Sequence, residues 1–84
     1  MSNVTVSVIY PAYHPAIITV VIGVNNTVVW INKDPFPHTV TAKGIFDSHD
    51  IAAGKSWKYT ASKPGEYAYT CTLHPNMKAT LKVE

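Results

Sequence analysis

Gly65-Glu66-Tyr67-Ala68-Tyr69-Thr70-Cys71 runs without a break into Thr72-Leu73-His74-Pro75-Asn76-Met77. Successive side chains of an extended chain point to opposite sides, so Tyr67, Tyr69 and Cys71 share one face of a strand. Two aromatics mark that face as a buried one, and Cys71 emerges at the buried end of a core strand. Tyr67 follows Gly65 at the strand entrance, a position suited to a tyrosine corner in a Greek-key sandwich.

The same alternation extends over the rest of the chain. Val4, Val6, Val8 and Tyr10 alternate with Thr5, Ser7 and Ile9, and Ile17 to Ile22 and Thr27 to Asn32 are rich in Val, Ile and Thr. His38 to Ala42, Ser56 to Ala61, Glu66 to Thr72 and Lys78 to Val83 continue the pattern, for a total of about seven short strands. Turn signals separate them at Pro11, Pro15, Gly23 to Asn26, Asp34-Pro35, Lys43-Gly44, Ala53-Gly54 and Lys63-Pro64-Gly65. No window carries a helical period. The expected architecture is all-β, a two-sheet antiparallel Greek-key sandwich. With 84 residues, the chain is read as one domain over 1–84, too short for two cores. A domain of this size buries only about 60% of its unfolded surface, so a bound metal would add usefully to its stability.

Composition narrows the classes of partner. Seven lysines and no arginine face five acids, a net charge of +2, and the lysines are scattered. That argues against a nucleic-acid groove. The apolar stretch Ala16 to Val24 is interrupted by Thr19 and Gly23 and has strand length, not membrane-spanning length. Asn3-Val4-Thr5 and Asn25-Asn26-Thr27 fit the glycosylation pattern, which is frequent by chance. Met1-Ser2-Asn3 leads directly into a strand pattern with no basic start or cleavage site. The chain is therefore read as a mature domain with Met1 as initiator, working in the periplasm or elsewhere outside the cytoplasm.

A single cysteine excludes an internal disulfide. Alone, Cys71 reads as a small buried hydrophobe, His74 as a loop residue and Met77 as core. Together, a thiol, an imidazole and a thioether spaced i, i+3, i+6 in a proline-containing loop converge only if the loop wraps a centre. Structural zinc sites carry paired cysteines that this chain lacks. Methionine suits copper as a weak axial partner, and two His with one Cys complete the ligand set of a blue-copper electron-transfer site. The second imidazole comes from His14, His38 or His49. His38 follows Asp34-Pro35-Phe36-Pro37, where proline fixes φ and extends the residue before it, so it arrives with little conformational freedom. His14 and His49 sit in polar turns and read as solvated. The candidate metal set is His38, Cys71, His74 and Met77, for one copper per chain.

These residues give the chain a resemblance to the cupredoxins of the plastocyanin and amicyanin type. Pro37-His38-Thr39-Val40-Thr41, Phe46-Asp47, Ala53-Gly54-Lys55-Ser56, Lys63 to Cys71, His74-Pro75 and Met77 occur in the family's order. Val24 to Asp34, with Val28, Trp30 and Asn32, is similar to the family's third strand. The contracted Cys71-x-x-His74-x-x-Met77 spacing, with Pro75, is most similar to amicyanin; plastocyanin has a longer stretch there. The chain departs from the family in three ways. Thr39 stands where many members carry Asn, the acidic patches of plant plastocyanins have no counterpart, and the segment from His38 to Cys71 is short, which suggests a trimmed sandwich.

The expected function is one-electron transport, with copper cycling between Cu(II) and Cu(I) and no small-molecule substrate or enzymatic step. Thiolate donation stabilises Cu(II), while a long Met77 contact and an apolar shell favour Cu(I). Backbone N–H groups near Thr39 and Asn76 are expected to donate to the Cys71 sulfur. His74 should turn its outer edge to solvent within an uncharged patch of Phe36, Pro37, Leu73 and Pro75, where redox partner proteins dock transiently on a monomer. The alternatives are a copper-trafficking module and the copper domain of a larger oxidase or reductase. A metal-free adhesion sandwich would leave the His38, Cys71, His74 and Met77 set unexplained.

Overall fold

Among the described residues, nine strands make two sheets that face each other: β1 (Val4–Ile9), β2 (Ala12–His14), β3 (Ile17–Val20), β4 (Thr27–Asn32), β5 (Thr41–Ala42), β6 (Phe46–Asp47), β7 (Ser56–Thr60), β8 (Gly65–Cys71) and β9 (His74–Val83). The computed structural model of the chain describes residues 3–84, so the reading of Met1 as initiator lies outside the described residues. One sheet runs β2-β1-β4-β7 and the other β3-β9-β8-β5-β6. The expected two-sheet sandwich is present, with nine strands against about seven. The additional β2 and β6 have three and two residues, too short for an alternation to register. Two neighbour pairs, β1 with β4 and β3 with β9, are parallel, so the sheets are mixed rather than wholly antiparallel. Alternation in sequence is the same in either direction, which is why the reading missed it. The expected strand from His38 to Ala42 shrinks to Thr41–Ala42, and His38 keeps only an isolated bridge to Ile51.

The core fills from the inward positions of both sheets. Val28, Trp30 and Asn32 alternate inward on β4, while Met77, Ala79, Leu81 and Val83 do so on β9. Each fully buried large apolar side chain is worth roughly 1.5–3 kcal/mol of transfer free energy. The Trp30 indole N–H donates across the core to the Tyr69 hydroxyl at 3.2 Å, and Tyr69 meets Tyr13 edge-on with centroids 4.8 Å apart. Burial pushes the Tyr69 phenol up to about 12. Burial, with a smaller contribution from Cys71, raises Tyr13 further still, so both phenols remain neutral hydrogen-bonding groups. The Tyr13 O–H donates to the Thr39 carbonyl at 2.6 Å, which ties the β1–β2 hairpin to the segment carrying His38.

The tyrosine corner is present at the β8 entrance. The Tyr67 O–H donates to the Lys63 carbonyl at 2.8 Å. Gly65 has φ +150°, and a Cβ there would lie 3.2 Å from that hydroxyl, so the close approach requires glycine.

Candidate metal centre

Two stretches of chain converge at one end of the sandwich, the first being the irregular segment that leaves β4. Its frame is the fully buried Asn32, whose amide donates to the carbonyls of Phe36 at 2.9 Å and Ile51 at 2.8 Å. Its Oδ1 accepts the Asp34 N–H at 2.9 Å. One side chain thus bonds three main-chain groups, of which the Phe36 carbonyl and the Asp34 N–H have no main-chain partner. Asp34, its side chain only 12% exposed, directs Oδ2 to the Tyr10 N–H and to His38 Nε2, both at 2.6 Å. Burial opposes its ionisation, but the bonds from Tyr10 and His38 outweigh that and hold the carboxyl below the usual carboxylate range. An ionised carboxylate only accepts, so Nε2 carries the His38 proton and Nδ1 offers its lone pair. His38 is fully buried, and its backbone is locked to Ile51 by N–H···O bonds in both directions, at 3.2 and 2.7 Å.

The second stretch is the β8–β9 hairpin, where Cys71 pairs with His74 beyond a register shift at Thr70/Cys71. The fully buried Cys71 Sγ lies 3.5 Å from His38 Nδ1 and 3.7 Å from His74 Nδ1. All three donor atoms lie within 4.8 Å of one another. The Thr39 N–H donates to Sγ at 3.3 Å, as expected. The Thr39 hydroxyl accepts the Thr72 N–H at 2.9 Å and contacts the hydroxyls of Thr41 and Thr72 at 3.0 and 3.3 Å. The Thr39 side chain therefore joins the two stretches. The half-buried His74 ring is flanked by Tyr10 and Phe36, with centroids 5.0 and 5.6 Å away.

These residues fit a metal ion. First-row ions such as zinc bind imidazole nitrogen at about 2.0 Å and thiolate at about 2.3 Å, and at angles between tetrahedral and trigonal that places N and S roughly 3.5–3.7 Å apart. The observed separations of 3.5 and 3.7 Å match. Both Nδ1 atoms face the sulfur, while the remote nitrogen of His38 is already engaged. Met77 is fully buried in β9, three residues beyond His74, on the strand's inward face. His14 and His49 do not join: both are exposed, and His49 has φ +57°.

Asp34 and Tyr10 are the residues that sequence reasoning missed. A carboxylate four positions before an imidazole in a proline-stiffened segment was a usable signal for Asp34. Tyr10 carried none, since it reaches the site from a turn 24 residues away from Asp34.

Residues 1–83 match the family model described as a cupredoxin-like domain. The chain is 34% identical over 71 residues to an amicyanin of Paracoccus versutus, an alignment that takes in 77% of this chain and 54% of that protein. An amicyanin of Paracoccus denitrificans is 29% identical over 69 residues, or 75% and 53% of the two chains. The chain thus spans about half the length of the curated relatives it matches. A methionine-to-alanine mutant of amicyanin in its Cu(I) form superposes with a TM-score of 0.88 at 27% identity, over 100% of this chain and 84% of that one. A copper-containing nitrite reductase from Thermus scotoductus SA-01 gives 0.87 at 27% identity, over 98% of this chain but 22% of the enzyme.

Proposed function

The chain belongs to the cupredoxin-like domain family, and from that membership we propose that it is a single-domain one-electron carrier whose copper is held by His38, Cys71, His74 and Met77. The supporting observation is the pair of imidazole Nδ1 atoms turned on one buried thiol sulfur at 3.5 and 3.7 Å. Copper bound there supplies the Cu(II)/Cu(I) couple. Cys71 provides the thiolate, and the Thr39 N–H offsets part of its charge. Met77, fully buried three residues beyond His74, would offer a weak thioether donor. Hydrogen-bonded frames behind both stretches hold one geometry, which limits reorganisation when the charge changes. The likeness to amicyanins supports a carrier rather than an enzyme.

His74 is the port. Phe36 and Leu73, 38% and 48% exposed, flank it together with the exposed Pro37 and Pro75. None of the four is charged, and a monomer with such a patch suits a small, short-lived interface with a redox partner protein. The amicyanin likeness supports a place outside the cytoplasm. A second reading, the copper domain of a larger reductase, draws on the superposition with part of a nitrite reductase.

The test is Leu73→Lys. An unpaired charge must be desolvated on docking, so the second-order rate with a protein partner, or self-exchange, should fall about tenfold, equivalent to roughly 1.4 kcal/mol. The visible spectrum should not change, because Leu73 is no ligand. An unchanged rate at matched ionic strength and potential places the port elsewhere.

A further inference from the structure

One carboxylate oxygen bonds one imidazole of the cluster and the main chain of the residue whose ring flanks the other. Asp34 Oδ2 receives His38 Nε2 directly, at 2.6 Å. The same atom receives the Tyr10 N–H, also at 2.6 Å, and the Tyr10 ring lies edge-on to His74 with centroids 5.0 Å apart. Asp34 is itself held, because its own N–H is bonded to the buried Asn32. The carboxylate is therefore fixed behind His38, not a mobile surface acid. Thr39 and Met77, read from sequence as determinants of the site, touch neither remote nitrogen.

We propose that Asp34 is a positioning residue that sets the His38 imidazole and biases the centre toward Cu(II). A carboxylate on the remote nitrogen fixes which ring nitrogen keeps its proton and makes the other a stronger donor. Its negative charge, close to a dry site, also favours the more highly charged oxidation state. Through the Tyr10 amide it anchors the ring that covers one side of His74. The bias toward Cu(II) rests on the carrier reading above, but the positioning of His38 does not.

Two substitutions separate charge from hydrogen bonding. Asp34→Asn can still accept both N–H groups through its side-chain oxygen, so it removes only the charge. Asp34→Ala removes both. In metal-free protein, nitrogen NMR of the His38 ring should show one tautomer, protonated at Nε2, for the unaltered chain and Asp34→Asn, and a mixture for Asp34→Ala. In copper-loaded protein at a fixed potential, Asp34→Asn should lower the Cu(II)/Cu(I) ratio about tenfold, which for one electron is 59 mV. The exposed control Glu66→Gln should leave the ratio unchanged. A single tautomer in folded Asp34→Ala, or an unmoved ratio in Asp34→Asn, overturns the proposal; if Asp34→Ala does not fold, the ratio in Asp34→Asn decides. Failure of the unaltered protein to bind copper would count against the carrier reading instead, and the metal-free tautomer would still decide whether Asp34 positions His38.

Discussion

His38 comes to the cluster on a segment with almost no ladder hydrogen bonds, whereas Cys71 and His74 come on the two strands of a hairpin. From Gly65↔Val83 to Thr70↔Lys78 the hairpin is registered by main-chain pairing. The segment between Asn32 and Thr39 is instead shaped by side chains, chiefly Asn32, Asp34 and the Thr39 hydroxyl. A ladder satisfies the backbone whatever the outward side chains are, so the hairpin should tolerate substitution. A segment whose backbone groups depend on one amide should not.

The largest expected effect follows from that asymmetry. Asn32→Ala strands the Phe36 carbonyl and leaves the Asp34 N–H without its acceptor, while the Ile51 carbonyl keeps only the His38 N–H. At about 1 kcal/mol or more for each of the two groups left unmet, the loss should be roughly 2 kcal/mol or more, read as a lower urea midpoint at constant slope. Lys78→Ala, on an exposed position of the hairpin, should stay within about 0.5 kcal/mol. Equal losses at the two sites would erase the contrast.

A smaller effect belongs to the point where the arms join. Thr39→Val keeps the shape but removes the oxygen that accepts the Thr72 N–H. It should cost about 1–2 kcal/mol by the same measurement. A loss near zero would mean that the Thr39 N–H to sulfur bond alone holds the arms together.

The smallest is a pH effect outside both arms. Asp47 Oδ1 accepts the His49 N–H at 2.8 Å and the Thr41 hydroxyl at 3.1 Å, which lowers its carboxyl below the ordinary range. A group lowered in the folded state stabilises it above the unfolded value, about 3.9, and loses that contribution as pH falls through the folded value. Asp47→Asn should therefore flatten the acid limb of the stability curve slightly and leave neutral pH nearly unchanged. Asp34 shifts in the same direction, so the difference between the two curves isolates the part due to Asp47. A steeper limb in the variant would contradict the assignment.

The same contrast explains what could be read from the sequence. Cys71 and its inward face followed from a period of two, and His74 and Met77 from loop spacing. His38 could be chosen over His14 and His49 because proline stiffening is a local property. Strands β2 and β6 were hidden by their length, and the parallel pairs by the indifference of alternation to direction. The tie from Tyr10 to Asp34 spans 24 residues and joins a main-chain donor to a side chain, so no local pattern encodes it. At the site, what was missed is the tie in which a side chain replaces the ladder.

Titration of the metal-free protein with Cu(II), followed by visible absorption, tests the central claim most directly. An intense thiolate-to-copper band should grow to saturation at one copper per chain. It should be absent in Cys71→Ser, while the far-ultraviolet β signature of that variant stays unchanged. A colourless Cu(II) complex of the unaltered chain would contradict the account.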